Sequence, residues 1–282
     1  LRKKNNYRVT ITGDQFMKKL MLIAMAAILT GTAGAQVMTK EIIYKNDSTT
    51  FKGFVAYDAK AKGKRPGILV VHEWWGLNDF IREKAKDLAA MGYVAFAPDM
   101  YGEGRNTTDP QVAAKMAGEV RGTPRMRDRV VLGLATLLKQ EQVDPKRVAA
   151  MGFCFGGTAC LELAYSGAGV KGVVTFHAGI VSPKPEDMKA VKSKFLVLHG
   201  ADDPFTPPDS IAKFQESLRK AGVDWQMIYF SHAVHGFTNP SNGSDNSKGL
   251  AYNPAAATRA WMYMQDFLRE IFEAAGPAAG SK

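Results

Sequence analysis

At 282 residues, 46% hydrophobic and 23% charged, the chain has enough apolar content to bury the core of one α/β-sized domain, which excludes an intrinsically disordered protein. The net charge of +10 would suit an anionic partner, but the excess sits at one end. Residues 1–35 hold six Lys or Arg and one Asp, leaving 31 basic against 26 acidic residues elsewhere, a net of +5. With no basic stripe interleaved with aromatics, that balance argues against a nucleic-acid-binding protein.

Leu1 to Phe16 precede a natural-looking start at Met17 and are read as a non-native upstream extension. Met17 to Ala35 have the form of a secretory signal peptide: Lys18 and Lys19 supply the positive end, Leu20 to Leu29 a short apolar stretch, and Ala33-Gly34-Ala35 a small-residue cleavage site. The expectation is a single domain over 36–282, secreted and periplasmic, with no membrane contact after cleavage. Cys154 and Cys160 are the only cysteines. Six residues apart across a turn and the start of a helix, they are poor disulfide partners.

Lys40–Lys45 and Thr50–Tyr57 read as a hairpin on a sheet edge, joined by Asn46-Asp47-Ser48. Gly67–Val71 is a continuous apolar run of the kind buried on both faces, ending in His72-Glu73-Trp74-Trp75-Gly76-Leu77-Asn78. A helix is expected from Asp79 to Met91, with Leu88, Ala89 and Met91 inward and Gly92 closing it. Tyr93–Ala97 is the next buried strand, followed by the Gly-rich loop Tyr101–Asp109, a candidate pocket wall. A helix over Arg125–Gln140 leads to the strand Arg147–Met151. Further strands over Val170–Phe176, Phe195–Leu198 and Trp225–Phe230 alternate with helical segments, among them Asp209–Ala221. A final helix spans Pro254–Ala274, with a loose tail over Gly276–Lys282. This alternation predicts an α/β fold: a mostly parallel sheet with helices on both faces, whose ligand crevice lies at the carboxyl ends of the strands.

Gly152-Phe153-Cys154-Phe155-Gly156-Gly157 follows a strand and precedes the helical run Thr158–Tyr165. Strand, tight turn and helix with glycine two residues either side of the central side chain is a nucleophile elbow, here with a thiol where Gly-x-Ser-x-Gly has a hydroxyl. The bland alternative is a buried cysteine in a glycine-rich turn. A thiol nucleophile needs a base, and the base needs an orienting group. On sheets of this type the chain order is nucleophile, acid, histidine. Cys154, then Asp202-Asp203 after a strand, then His232 or His235 after the last strand, follows that order. Asp203 is preferred because Pro204 biases it to extended backbone, and His235 because Gly236 lets its loop bend over the site. His72 and His199 are taken as structural hydrogen-bonders, and His177 as a pocket-lining residue. Cys160 is taken as core, and no His-x-x-x-His or Cys-x-x-Cys pairing suggests a metal.

These motifs, with Ala97-Pro98-Asp99-Met100-Tyr101, His199-Gly200-Ala201-Asp202-Asp203-Pro204-Phe205-Thr206-Pro207 and His235-Gly236-Phe237, resemble the dienelactone hydrolase (carboxymethylenebutenolidase-like) family of α/β-hydrolases, over roughly Thr39 to Phe272. The resemblance implies an α/β-hydrolase fold and a Cys154, Asp203 and His235 triad. It also implies an oxyanion hole from the backbone N–H groups of Trp74 and Phe155, and a Glu73 that contacts the resting thiol. Around these, Trp75, Tyr101, Arg105, His177, Phe237 and Asn239 are expected to shape the substrate pocket. One departure stands out: family members use two arginines for a substrate carboxylate, and one of those positions is Asn239 here, the other being matched only loosely by Arg105. A more apolar pocket favouring uncharged esters or lactones is therefore expected. The sequence thus points to a hydrolase of esters or lactones that uses no cofactor and takes a small-molecule substrate. A peptidase or thioesterase on the same fold, or a non-catalytic binding protein retaining the elbow, are the alternatives.

Overall fold

In the computed structural model, which describes residues 34–46, 48–181 and 183–273, strands and helices alternate along the chain. The strands are β1 (Val37–Asn46), β2 (Thr49–Asp58), β3 (Arg65–Val71), β4 (Val94–Ala97), β5 (Val143–Phe153), β6 (Gly172–Phe176), β7 (Lys194–Gly200) and β8 (Trp225–Phe230). The helices are α1 (Asp79–Ala90), α2 (Pro110–Gly118), α3 (Pro124–Leu138), α4 (Phe155–Tyr165), α5 (Pro185–Met188), α6 (Pro208–Lys220) and α7 (Pro254–Glu273). The upstream extension, the signal peptide and the C-terminal tail lie outside the described residues. Among the described residues no helix is long and apolar enough to cross a membrane.

The strands form one sheet in the order β1-β2-β4-β3-β5-β6-β7-β8. β1 and β2 are the antiparallel edge hairpin, β2 meets β4 antiparallel, and every pairing from β4 to β8 is parallel. The apolar runs behave as their composition requires. Ile68, Leu69, Val70 and Val71 of β3 alternate between two cores and are all fully buried, because helices cover both faces of a parallel sheet. One core is closed by α3, α4 and α6 through Met126, Val130, Leu134, Leu161, Phe214 and Leu218. The other is closed by α1 and α7, where Ile81, Ala85, Leu88 and Ala89 recur at helical spacing along one stripe. This is the α/β-hydrolase architecture.

The differences from the sequence expectation are local. α4 begins at Phe155, not Thr158, because Gly156 and Gly157 are helical residues pressed against the sheet rather than a turn. Met91 is the C-cap of α1 and 37% exposed, not inward. α5, four residues long, is too short to leave a periodic signal.

Candidate active site

The carboxyl ends of β3, β5, β7 and β8 converge on a cavity of about 770 Å³ whose walls include Glu73, Trp74, Cys154 and His235. Cys154 stands between β5 and α4 with φ 52° and ψ −114°, a conformation that costs a residue bearing Cβ on the order of 1–3 kcal/mol and survives only where the surroundings impose it. They do so sterically. A Cβ on Gly156 would collide with the Val71 carbonyl and come within 2.6 Å of the His72 oxygen, and one on Gly152 would overlap the backbone of Gly156. Strand and helix can therefore meet at this angle only through glycine. The Cys154 N–H donates to the Phe176 carbonyl at 3.0 Å, and the side chain is left partly exposed at the start of α4. Cys160, six residues further on, is fully buried, and burial pushes its thiol well above the usual range.

Asp203 and His235 lie just past β7 and β8. His235 Nδ1 is 2.8 Å from Asp203 Oδ2, and the carboxylate side chain is fully buried. The other carboxylate oxygen accepts from the Phe205 N–H at 2.9 Å, so both oxygens have assigned partners. Gly236 has φ 66°, which turns the loop carrying His235 back toward the cavity. Burial works against a charged imidazole there, but the charge and hydrogen bond of Cys154 and those of Asp203 outweigh it and push the His235 pKa up to about 10. Asp202 is exposed, as is His232. Phe205 packs edge-on over the His235 ring at 5.4 Å, shielding it from solvent.

The turn after β3 is held by its carbonyls. His72 Nε2 accepts from the Met100 N–H at 3.2 Å, so the ring proton is on Nδ1, which donates to the Glu73 carbonyl at 2.5 Å. Burial lowers the His72 pKa and keeps the ring neutral. Tyr101 donates its hydroxyl to the Trp74 carbonyl at 2.9 Å. Tyr101 is itself placed by Asp99, whose carboxylate accepts from the backbone N–H groups of Tyr101, Gly102 and Gly104, each at 2.8 Å, and from the backbone N–H of Lys52 at 3.2 Å. Among the described residues neither the Trp74 nor the Phe155 N–H has a protein acceptor.

Glu73 is buried on the wall of the cavity that Cys154 also lines, with its Oε2 accepting from Asn239 Nδ2 at 2.6 Å. Burial raises its pKa to about 7, against the smaller opposing effects of the Asn239 hydrogen bond and His235.

Of the six residues expected to shape the pocket, only Trp75 lines the cavity. Tyr101 lies behind it under Trp74. His177 and Phe237 are fully buried behind His235, with ring centroids 5.2 Å apart, and His177 Nε2 pairs with Thr238 Oγ1 at 2.7 Å. Burial keeps His177 neutral. Asn239 supports Glu73. Arg105 turns away, donating to the Tyr101 carbonyl at 2.7 Å and to Glu119 at 3.1 Å. His199 is buried, but its Nδ1 has no hydrogen-bond partner among the described residues, so the expectation of a structural hydrogen-bonder fails at that atom. Thr158, Ile180, Phe205, Leu250, Lys248 and Arg121 also line the cavity, and none was singled out in the sequence. Among the described residues no cluster of three His, Cys, Asp or Glu is placed to hold a metal ion.

Comparison with known proteins bears on the family and the fold. Residues 51–272 match the model of the dienelactone hydrolase family. The structure of a protein called m3DLH superposes with a TM-score of 0.81 at 39% identity, covering 84% of this chain and 99% of that one. A dienelactone hydrolase-like promiscuous phosphotriesterase from metagenomic libraries follows at 0.80 and 37%, covering 85% and 100%. The usf protein of Aquifex pyrophilus is 27% identical over 241 residues, 83% of this chain and 99% of its own. The chain thus belongs to the dienelactone hydrolase family, as a hydrolase with the α/β-hydrolase fold.

Proposed function

We propose that the protein hydrolyses small esters or lactones through a thioester acyl-enzyme on Cys154, with His235 as base and Asp203 as its orienting partner. The observation that carries this reading is that Cys154 on its strained elbow and His235 on its buried Asp203 open onto one cavity. The Sγ proton rests on His235 Nε2, as the raised imidazole pKa requires, and the thiolate adds to the carbonyl carbon. The tetrahedral oxyanion accepts from the Trp74 and Phe155 N–H groups, each such donor contributing on the order of 3 kcal/mol. Collapse expels the alkoxide, which takes the proton from His235 and leaves the thioester. Water then attacks the thioester while His235 takes its proton. The second tetrahedral intermediate releases the carboxylic acid and the thiolate, with the proton left on His235. A pre-steady-state burst with a p-nitrophenyl ester tests the acyl-enzyme, since a binding protein with a relic elbow gives none.

The walls of Trp74, Trp75, Ile180, Phe205 and Leu250 suit an apolar, uncharged substrate. One observation favours a second reading in which the substrate carries an anionic group. Arg121 lines the cavity with its guanidinium 5.8 Å from the Phe155 ring, and forms no ion pair among the described residues. The specificity constants for a carboxylated lactone and its methyl ester, in wild type and Arg121→Ala at fixed salt, separate the two. Secretion after cleavage near Ala35 belongs to the same proposal, supported by the Met17 to Ala35 pattern, and N-terminal sequencing of the exported protein tests it.

A further inference from the structure

Asn239 is fixed at every polar atom. Its N–H donates to the Gly236 carbonyl and its carbonyl accepts from the Asn242 N–H, both at 3.1 Å. The side-chain Oδ1 accepts from the Ser241 N–H at 3.0 Å. A backbone N–H can only donate, so that contact settles which end of the carboxamide is oxygen. The remaining end, Nδ2, is directed at Glu73 Oε2, 2.6 Å away across 166 positions of sequence. Both residues are 3% exposed. The loop that delivers His235 to the cavity thus also delivers, four residues later, a donor to the only acid on the cavity wall among the described residues.

We propose that Asn239 is a positioning residue: its carboxamide holds one oxygen of Glu73 and leaves the other toward the cavity shared with Cys154 and His235, so that Glu73 acts on the thiol as a neutral or a charged group according to pH. This rests on the reading of Cys154 as nucleophile. The physical basis is the neutrality of the amide. A guanidinium at this position would hold Glu73 ionised throughout the neutral range, whereas an uncharged amide N–H favours the carboxylate only modestly and can still donate to the carbonyl oxygen of a protonated carboxyl. With Asn239 in place, burial sets the titration of Glu73 near neutrality. The groups that face it are His235 from the loop after β8 and Cys154 from the elbow, with Arg121 and Lys248 on the outer wall. His72, its neighbour in sequence, is committed to the Glu73 carbonyl. Above its titration point Glu73 opposes a thiolate by like-charge repulsion, and below it the opposition disappears.

The test is a double-mutant cycle on the pH dependence of Cys154 alkylation by iodoacetamide and of kcat/KM for a neutral p-nitrophenyl ester. The four proteins are wild type, Asn239→Leu, Glu73→Gln and the double variant. Asn239→Ser, too short to reach Glu73 but still polar toward the Ser241 N–H, replaces Asn239→Leu if the latter does not fold. Losing a donor that favours the carboxylate moves the Glu73-dependent limb to higher pH, by about one unit. The same substitution has no effect on the limb when Glu73 is already Gln. An equal shift in both backgrounds, or none in either, overturns the proposal and leaves Asn239 a loop residue. Cys154→Ala, assayed alongside, keeps the two questions apart. If it stays active, the nucleophile reading fails; if activity needs Cys154 and the limb does not move, only the role of Asn239 fails.

Discussion

Replacing Asp203 by Asn should disable the enzyme by moving one proton. Asp203 Oδ1 accepts from the Phe205 N–H at 2.9 Å, and Oδ2 faces His235 Nδ1 at 2.8 Å. An asparagine there must keep its oxygen toward Phe205, because that backbone donor cannot turn into an acceptor. Its NH₂ then confronts His235 Nδ1, which can meet it only by losing its own proton. The ring proton moves to Nε2, the nitrogen required to take the proton of Cys154. Where an orienting carboxylate in a serine protease was changed this way, the loss was about 10⁴-fold in kcat. A loss here of about 10³ to 10⁴, or about 4 to 5.5 kcal/mol, with little change in KM, is expected on a p-nitrophenyl ester. The His235 pKa should fall as well, since Asp203 contributes to raising it. A thermal melt of the variant separates this from unfolding. Asp202→Asn should stay close to wild type, because Asp202 is exposed. Asp203→Asn within tenfold of wild type beside an inactive Asp202→Asn would refute the assignment.

Cys160→Ala should retain turnover and alkylation at Cys154, as read by peptide mass mapping, because Cys160 is enclosed in the core. Glu73 titrates at about 7 folded against 4.5 in its ordinary environment, so the folded protein holds an extra proton between those values and loses stability as pH rises through them. Glu73→Gln removes that dependence: relative to wild type its melting temperature should be higher at pH 8 than at pH 5, by the equivalent of at most about 3 kcal/mol. Tyr101→Phe deletes the buried donor to the Trp74 carbonyl and should cost about 1–3 kcal/mol in chemical denaturation, with a fall in kcat that exceeds any change in KM. If substrate carboxylates are read at the wall, Arg121→Ala should lower kcat/KM for the carboxylated lactone while sparing the methyl ester, and equal effects on both would count against that reading.

The sheet was legible because its signals are local: apolar runs for strands buried on both faces, glycine flanking Cys154, Pro204 after Asp203, Gly236 after His235. What escaped the sequence depends on contacts between distant segments or on single backbone angles. Asn239 was expected to face substrate from its place after His235, yet its amide direction is set by Ser241 and its partner is Glu73, 166 positions away. His177 follows a strand end in the usual way for a pocket residue, but a φ of 41° folds it behind His235. Arg105 was matched by loop position, and its direction is decided by Glu119. Arg121 sits in the short connection between α2 and α3, where nothing in sequence marks an approach to Cys154. His199 carries an unpartnered buried Nδ1 that no pattern announces.

The most direct measurement is the mass of the Cys154 peptide after rapid acid quench of the enzyme with a slowly deacylated ester. A thioester adduct on Cys154, formed at the rate of the burst and absent from Cys154→Ala together with turnover, is the predicted result. Full turnover in Cys154→Ala, or an acyl group found on another residue at burst rate, would contradict it.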